Sequence, residues 1–233
     1  MKTLFRILLL LLMLIAAASL NAQNPNSFLD KAYGLDPFLH NGRLYAYFMP
    51  TGTEGTPFLH APAFEIGSVT LRGVTYNDIA LNYDVFNRQL VFKYKTKLGA
   101  ENLITIDDAW LESFTLGNAR FELLALQDTL KQIYQVMGDG PCRIIYSWSK
   151  EKLLDQNSAK EYYSFPKAKR ESYILNGEKL LRYKKNRSFV MCFDRADQPL
   201  LKKYIHQSRI KLKKAPDQVI IDLVNYCNSL ASK

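Results

Sequence analysis

Between Gly67 and Trp148 apolar residues recur at every second position, which predicts a run of short antiparallel strands. Val69 and Leu71 alternate with Thr70 and Arg72; Ile79, Leu81, Tyr83 and Val85 then share one face, and Leu90, Phe92 and Tyr94 share another after a turn near Asn87. Asn77-Asp78 reads as the preceding turn, and Asn82, Asp84, Gln89, Lys93 and Lys95 fall on the side expected to face water. Further strands are predicted at 103–106, 111–116, 120–124, 133–137 and 143–148, with turns at Lys97-Leu98-Gly99, Gly117-Asn118 and Gly138-Asp139-Gly140-Pro141. Residues 127–132 fit either a loop or a helical turn. Asn176-Gly177 is a strong hairpin signal, joining 172–175 to 179–183.

The period then lengthens. Residues 187–193 form a short apolar helix candidate, and 198–209 puts Leu200, Leu201, Tyr204 and Ile205 on one face with Lys202, Lys203 and Gln207 opposite. Asp194 and Asp197 read as N-terminal caps. A last helix follows Pro216, with Asp217 at its positive end and Val219, Leu223, Tyr226, Cys227 and Leu230 at helical spacing. Ahead of the strands, 23–66 is rich in Pro and Gly and predicts an irregular lead-in with one short strand at 43–48. The expected fold is α+β, an antiparallel meander forming a sandwich or partly closed barrel with a basic, helical C-terminal segment. Its parts are a signal peptide (1–22), the lead-in (23–66), a β domain (67–185) and C-terminal helices packed on that domain (186–233).

The first 22 residues change where this fold is expected to work. Lys2 and Arg6 precede an apolar run ending in small residues before Gln23, the three-part pattern of a secretory signal, so the chain is expected to be periplasmic or secreted. With the leader removed, no transmembrane span is expected. Composition supports a folded body: of 233 residues, 48% are hydrophobic and 23% charged, outside the range of disordered tails. Cys142, Cys192 and Cys227 form no CxxC pair, and buried thiols are favoured over a Cys192–Cys227 bridge.

Charge is uneven. The whole chain carries 31 Lys and Arg against 22 Asp and Glu; without Lys2 and Arg6 the balance is 29 to 22, or +7. Residues 166–214 hold fifteen basic and four acidic residues, a net +11, so the rest of the mature chain is slightly acidic at −4. Lys202, Lys203, Lys211, Lys213 and Lys214 are the candidate binding residues, with Trp110 as a possible aromatic contact. Lys211-Leu212-Lys213 also fits a charge-protected edge strand. An anionic envelope component, either a lipid headgroup or an acidic glycan, or an envelope protein is the expected partner; nucleic acid is disfavoured by export.

Catalytic motifs are scarce. The three histidines show no HExxH or paired spacing, and GxSxG, Ser-x-x-Lys and Cys-His signatures are missing. Residues 51–56 superficially resemble a phosphate loop without the Gly-Lys-Ser/Thr ending, so a turn is expected there. The candidate catalytic pair is Asp107-Asp108 near Trp110, the hardware of a glycosidase, although adjacent strand residues point to opposite faces and Asp-Asp is also ordinary turn chemistry. No cofactor or metal site is expected.

Several segments carry a resemblance: Asn21-Ala22-Gln23; Gly67-Ser68-Val69 with Gly73-Val74-Thr75-Tyr76 and Leu81-Asn82-Tyr83-Asp84; Leu90-Val91-Phe92; Phe114-Thr115-Leu116; and Val224-Asn225-Tyr226-Cys227-Asn228. Together they resemble exported β-rich proteins of Bacteroidota-type bacteria that have no known activity. In that group the final stretch often closes on Tyr-Tyr-Asn, from which Cys227 departs. The resemblance implies a secreted or periplasmic β-rich domain with a helical end and transfers no active-site residue. The leading expectation is a non-enzymatic binding or interaction domain of the cell envelope. The alternatives are a hydrolase of envelope polysaccharide or peptide using Asp107 and Asp108, and a subunit of an envelope assembly.

Overall fold

The computed structural model describes residues 36–46, 49–96, 98–126, 130–155, 162–177 and 179–231. The predicted signal, the end of the candidate strand at 47–48 and the first half of the ambiguous segment (127–129) lie outside them. Two compact units divide the chain, 1–40 and 41–233. In the first, the described part is one helical turn, α1 (Pro37–His40), whose opening N–H of Phe38 donates to Asp36 Oδ1 at 2.8 Å.

The second unit is built on an eleven-stranded antiparallel sheet. In chain order its strands are β1 (Arg43–Leu44), β2 (Glu65–Leu71), β3 (Val74–Asp84), β4 (Gln89–Lys95), β5 (Glu101–Thr105), β6 (Leu111–Leu116), β7 (Ala119–Leu124), β8 (Gln132–Met137), β9 (Cys142–Ser149), β12 (Lys169–Asn176) and β13 (Lys179–Tyr183). β10 (Leu153–Asp155) and β11 (Tyr162–Ser164) form a separate two-stranded ribbon. The spatial order is β1-β5-β4-β3-β2-β6-β7-β8-β9-β12-β13. Two meanders thus meet at β2, which pairs with β3 on one side and β6 on the other. The α+β antiparallel architecture expected from the sequence is present, as one sheet that stays open between β1 and β13.

Local chemistry departs from the sequence reading in three places. The β2–β3 turn is Arg72-Gly73, both in the left-handed region at φ 48° and 78°. Asn77 and Asp78 lie inside β3, where the register slips from Gly67 opposite Ile79 to Val69 opposite Tyr76, leaving two residues opposite Ser68. Asp78 is left-handed at φ 57°, so this pair makes a bulge, not a turn. Asn82 and Asp84 are buried, not facing water. The lead-in crosses above them: Asn82 Nδ2 donates to the carbonyls of Ala61 and Ala63 at 2.9 and 3.0 Å, and Phe58 bridges to Asp84. A polar side chain alternating with apolar ones is indistinguishable in sequence from an exposed one until the covering segment is known.

Asp84 is held from three directions. Tyr45 Oη donates to Oδ2 at 2.8 Å, and Asn87 donates its backbone N–H to Oδ1 at 2.9 Å and its amide to Oδ2 at 2.7 Å. Close by, Lys150 Nζ donates to the carbonyls of Thr56 (2.8 Å) and Phe58. Burial pulls the Lys150 ammonium below its usual range, with Asp84 opposing that shift. The lead-in from 49 to 64 is therefore a strap fastened to the ends of β3 and β9, and its 51–56 stretch is a turn closed by Thr53 Oγ1 donating to Pro50 O at 2.6 Å.

Both faces of the sheet are covered near β8 and β9. Met137, Ile144, Tyr146 and Ile174 pack against the helices α2 (Asn186–Val190), α3 (Gln198–Gln207) and α4 (Asp217–Ala231), while Tyr134, Val136, Ile145 and Leu175 point the other way. The alternation follows from the strand period, since Ile144 and Ile145 face opposite sides. α4 buries Ile220, Leu223, Val224 and Cys227, a stripe at the predicted helical spacing. All three cysteines are free thiols. Cys227 lies beside Cys142 rather than pairing with Cys192; their shared hydrogen bond lowers the Cys142 thiol's pKa and raises that of Cys227.

Candidate anion-binding surface

The segment that follows α3 is pinned to the start of α2 by Asn186. Its amide donates to Ile210 O at 2.6 Å and its carbonyl accepts from Leu212 N at 3.1 Å, fixing 210–212 against the start of α2. Lys214 N donates to Lys211 O at 2.8 Å, so 211–214 is a turn. The edge strand expected at Lys211-Leu212-Lys213 is therefore replaced by a turn, since Leu212 N donates to the Asn186 side chain and Lys214 N closes back on Lys211 O, with Leu212 in the core and Lys211 and Lys213 outside. Asp197 occupies the N-cap of α3 without a side-chain cap bond; the carbonyl of Asp194 accepts from Asp197 and Gln198 instead, so neither aspartate caps through its carboxylate as expected.

Helix α3 ends in a Schellman arrangement. The N–H of Ile210 reaches back to Ile205 O at 3.0 Å and that of Arg209 to His206 O at 3.1 Å, with Arg209 in the left-handed region at φ 50°. That position is usually glycine. Here it carries a guanidinium.

Between α2, α3 and this turn lies a groove of about 740 Å³. Val190, Ile205 and Ile210 supply its apolar walls, and Arg187, Lys202, Arg209 and Lys211 carry its charge, with His206 beside them. No carboxylate lines it. On the sheet, by contrast, several basic groups are matched: Arg120 and Arg143 both reach Glu122, Lys169 reaches Glu151 at 2.7 Å, and Arg182 reaches Glu171. Among the described residues no ion pair involves Arg187, Lys202, Arg209 or Lys211. The groove is thus a concentration of unmatched positive charge beside apolar surface, suited to binding an anion.

The predicted binding lysines divide between locations. Lys202 and Lys211 line the groove. Lys203 and Lys214 are exposed nearby in sequence but do not line it. Lys213 lines a second cleft of about 450 Å³ with Arg170, Arg182 and Lys184, where Glu171 is also present. Arg170 donates to Lys213 O at 3.3 Å and stacks its guanidinium 4.2 Å from the Tyr146 ring centroid. Arg187 and Arg209 were visible only as part of the basic count; the sequence pattern carries the helix through 209, whereas α3 ends at Gln207 and leaves Arg209 just past its C-cap Ser208.

Asp107 and Asp108 lie in the connection that carries the chain from β5 across to β6. Asp107 Oδ1 accepts from Ala109 N at 2.9 Å, and its carbonyl accepts from Trp110 N and Leu111 N, which is turn chemistry. Both carboxylates nevertheless line a cavity of about 300 Å³ shared with Arg43 and Gln89. Partial desolvation, and secondarily the charge of Asp107, raise the pKa of Asp108. Trp110 is not among the residues lining that cavity; its ring carries the Arg72 guanidinium 4.5 Å from the centroid. The paired-acid and aromatic elements of a glycosidase site are therefore not assembled together.

Among the described residues no group of three or more His, Cys, Asp or Glu could hold a metal ion, and no helix is long and apolar enough to cross a membrane. Comparison with family models, curated proteins and solved structures found no match for this chain.

Proposed function

We propose that the protein is an exported, non-enzymatic binding domain whose contact surface is its basic helical end and whose partner is an anionic component of the cell envelope. The observation carrying this reading is the cluster of Arg187, Lys202, Arg209 and Lys211 around one groove without a carboxylate in its lining. Cations that merely solubilise a surface gain from interspersed opposite charge, as on the sheet; a cluster of one sign raises the local potential and attracts anions. The predicted leader at 1–22 supports an envelope location, where anionic lipid headgroups present such charge.

Sedimentation with vesicles containing anionic phospholipid, at low and at high salt, tests the proposal. Wild type should bind at low salt and be released at high salt, because exposed charges are screened over about 10 Å at 0.1 M. A variant with Arg187, Lys202, Arg209 and Lys211 changed to Gln should lose most of that binding. Equal binding by both proteins would overturn the reading.

A hydrolase reading draws on the shared cavity of Asp107 and Asp108 and the raised pKa of Asp108. Asp107 is already committed to its turn, so the anion-binding reading accounts for more of the molecule.

A further inference from the structure

The groove combines two properties that surface anion contact does not require. A lipid headgroup or a polyanion held at a flat basic face needs charge alone. This groove also has an apolar floor, where Val190, Ile205 and Ile210 are each 6% exposed or less, and a volume of about 740 Å³, within the roughly 300–1,000 Å³ of small-molecule sites. The stems of Arg187 and Lys202 extend that apolar surface while their charged ends stay solvated.

The second observation is the backbone of Arg209. Glycine enters the left-handed region at a helix C-terminus without penalty, whereas a side chain there is strained. The chain keeps an arginine at φ 50° on the groove. Arg72, Asp78 and Arg88 are left-handed too, in turns and a bulge, and of the four only Arg209 lines the groove.

We propose that the groove takes a single-chain amphiphile with a phosphate monoester headgroup, the alkyl chain lying along Val190, Ile205 and Ile210 and the phosphate among Arg187, Lys202, Arg209 and Lys211. This rests on the anion-binding reading above and narrows it to one ligand. A phosphate monoester carries about −1.5 to −2 charges at neutral pH, against one for a carboxylate, and so answers a four-cation cluster better. Arginine supplies the fork-like donors that match phosphate oxygens.

Calorimetric titration of the full chain with octyl, decyl and dodecyl phosphate below their critical micelle concentrations tests the assignment, with inorganic phosphate, dodecanoate and dodecyl maltoside as controls. Affinity should rise with chain length, by up to about fourfold per buried methylene. Dodecyl phosphate should bind at least fivefold more tightly than each control. Arg209→Gly is the decisive variant, since it relieves the left-handed strain: its melting temperature should equal or exceed that of wild type while its affinity for dodecyl phosphate falls at least fivefold. Arg187→Gln should weaken binding similarly. Inorganic phosphate binding as well as dodecyl phosphate, dodecyl maltoside binding equally, or an unchanged affinity in Arg209→Gly would each overturn the proposal. If wild type still sediments with anionic vesicles in those cases, the broader reading stands; if it binds neither vesicles nor alkyl phosphates, both fall.

Discussion

The side-chain amide of Asn228 brackets the backbone of Cys142, accepting from its N–H at 2.9 Å and donating to its carbonyl at 3.0 Å. The same amide nitrogen donates to Asp139 O at 2.7 Å. One side chain on α4 therefore satisfies both ends of the β8–β9 hairpin turn and sets how the last helix lies on the sheet. Asn228→Ala leaves these backbone groups without those partners, and a loss of about 1–3 kcal/mol is expected. Thermal or urea unfolding checks it; an unchanged midpoint would show that the helix is positioned by its apolar stripe alone.

Gly138 in the same turn tests that docking from the other side. It is left-handed at φ 76°, and a Cβ built there would lie 2.5 Å from Val224 Cγ1. Gly73 has a similar φ of 78° with nothing within 4 Å. Gly73→Ala should cost only the left-handed penalty of about 1–2 kcal/mol. Gly138→Ala adds a clash with α4 and should cost about 1–3 kcal/mol more. Equal effects in parallel denaturant titrations would contradict the close packing of α4.

Lys150 holds the strap. Lys150→Met keeps the length of the side chain but removes the donor to Thr56 and Phe58 and the cation near Asp84. Destabilisation of about 1–3 kcal/mol is expected, with loss of amide-exchange protection at Leu59 and Val85, whose N–H groups donate to Tyr83 and Pro57. Protection retained at both amides would show that the strap does not depend on the ammonium.

Asp108 gives the protein a pH-dependent term of definite sign. Its pKa is raised above the ordinary 3.8, so over the interval above that value the folded chain holds a proton that the unfolded chain has released. Stability from this group therefore falls as pH rises through the interval. Asp108→Asn should melt higher than wild type at neutral pH, with the difference vanishing toward pH 3 and below. A lower melting temperature for the variant at neutral pH would show that the carboxylate is engaged by a cation strongly enough to reverse the sign.

Much of the sheet was legible from period-two alternation. The strands predicted at 111–116 and 179–183 coincide with β6 and β13, because clear turns bound them. The turn before β3 was misplaced because Asn77-Asp78 has turn chemistry that the bulge uses equally well, while Arg72-Gly73 puts an arginine at a positive φ. Burial of Asn82 and Asp84 depends on a strap distant in sequence, which no local pattern encodes. The basic candidates show the same limit. Composition singled out the segment, but only the C-terminus of α3 and the Asn186 anchor decide that Arg187, Lys202, Arg209 and Lys211 share one groove while Lys213 belongs to another cleft.

The most direct measurement is a residue-resolved map of amide chemical-shift changes when dodecyl phosphate is added to the full chain, at low salt and again at high salt. The largest changes are expected at Asn186, Arg187, Val190 and from Lys202 through Leu212, fading as salt is raised. Changes centred on Arg43, Gln89, Asp107 and Asp108, or no salt-sensitive change around α2 and α3, would contradict the assignment of the basic helical end as the binding surface.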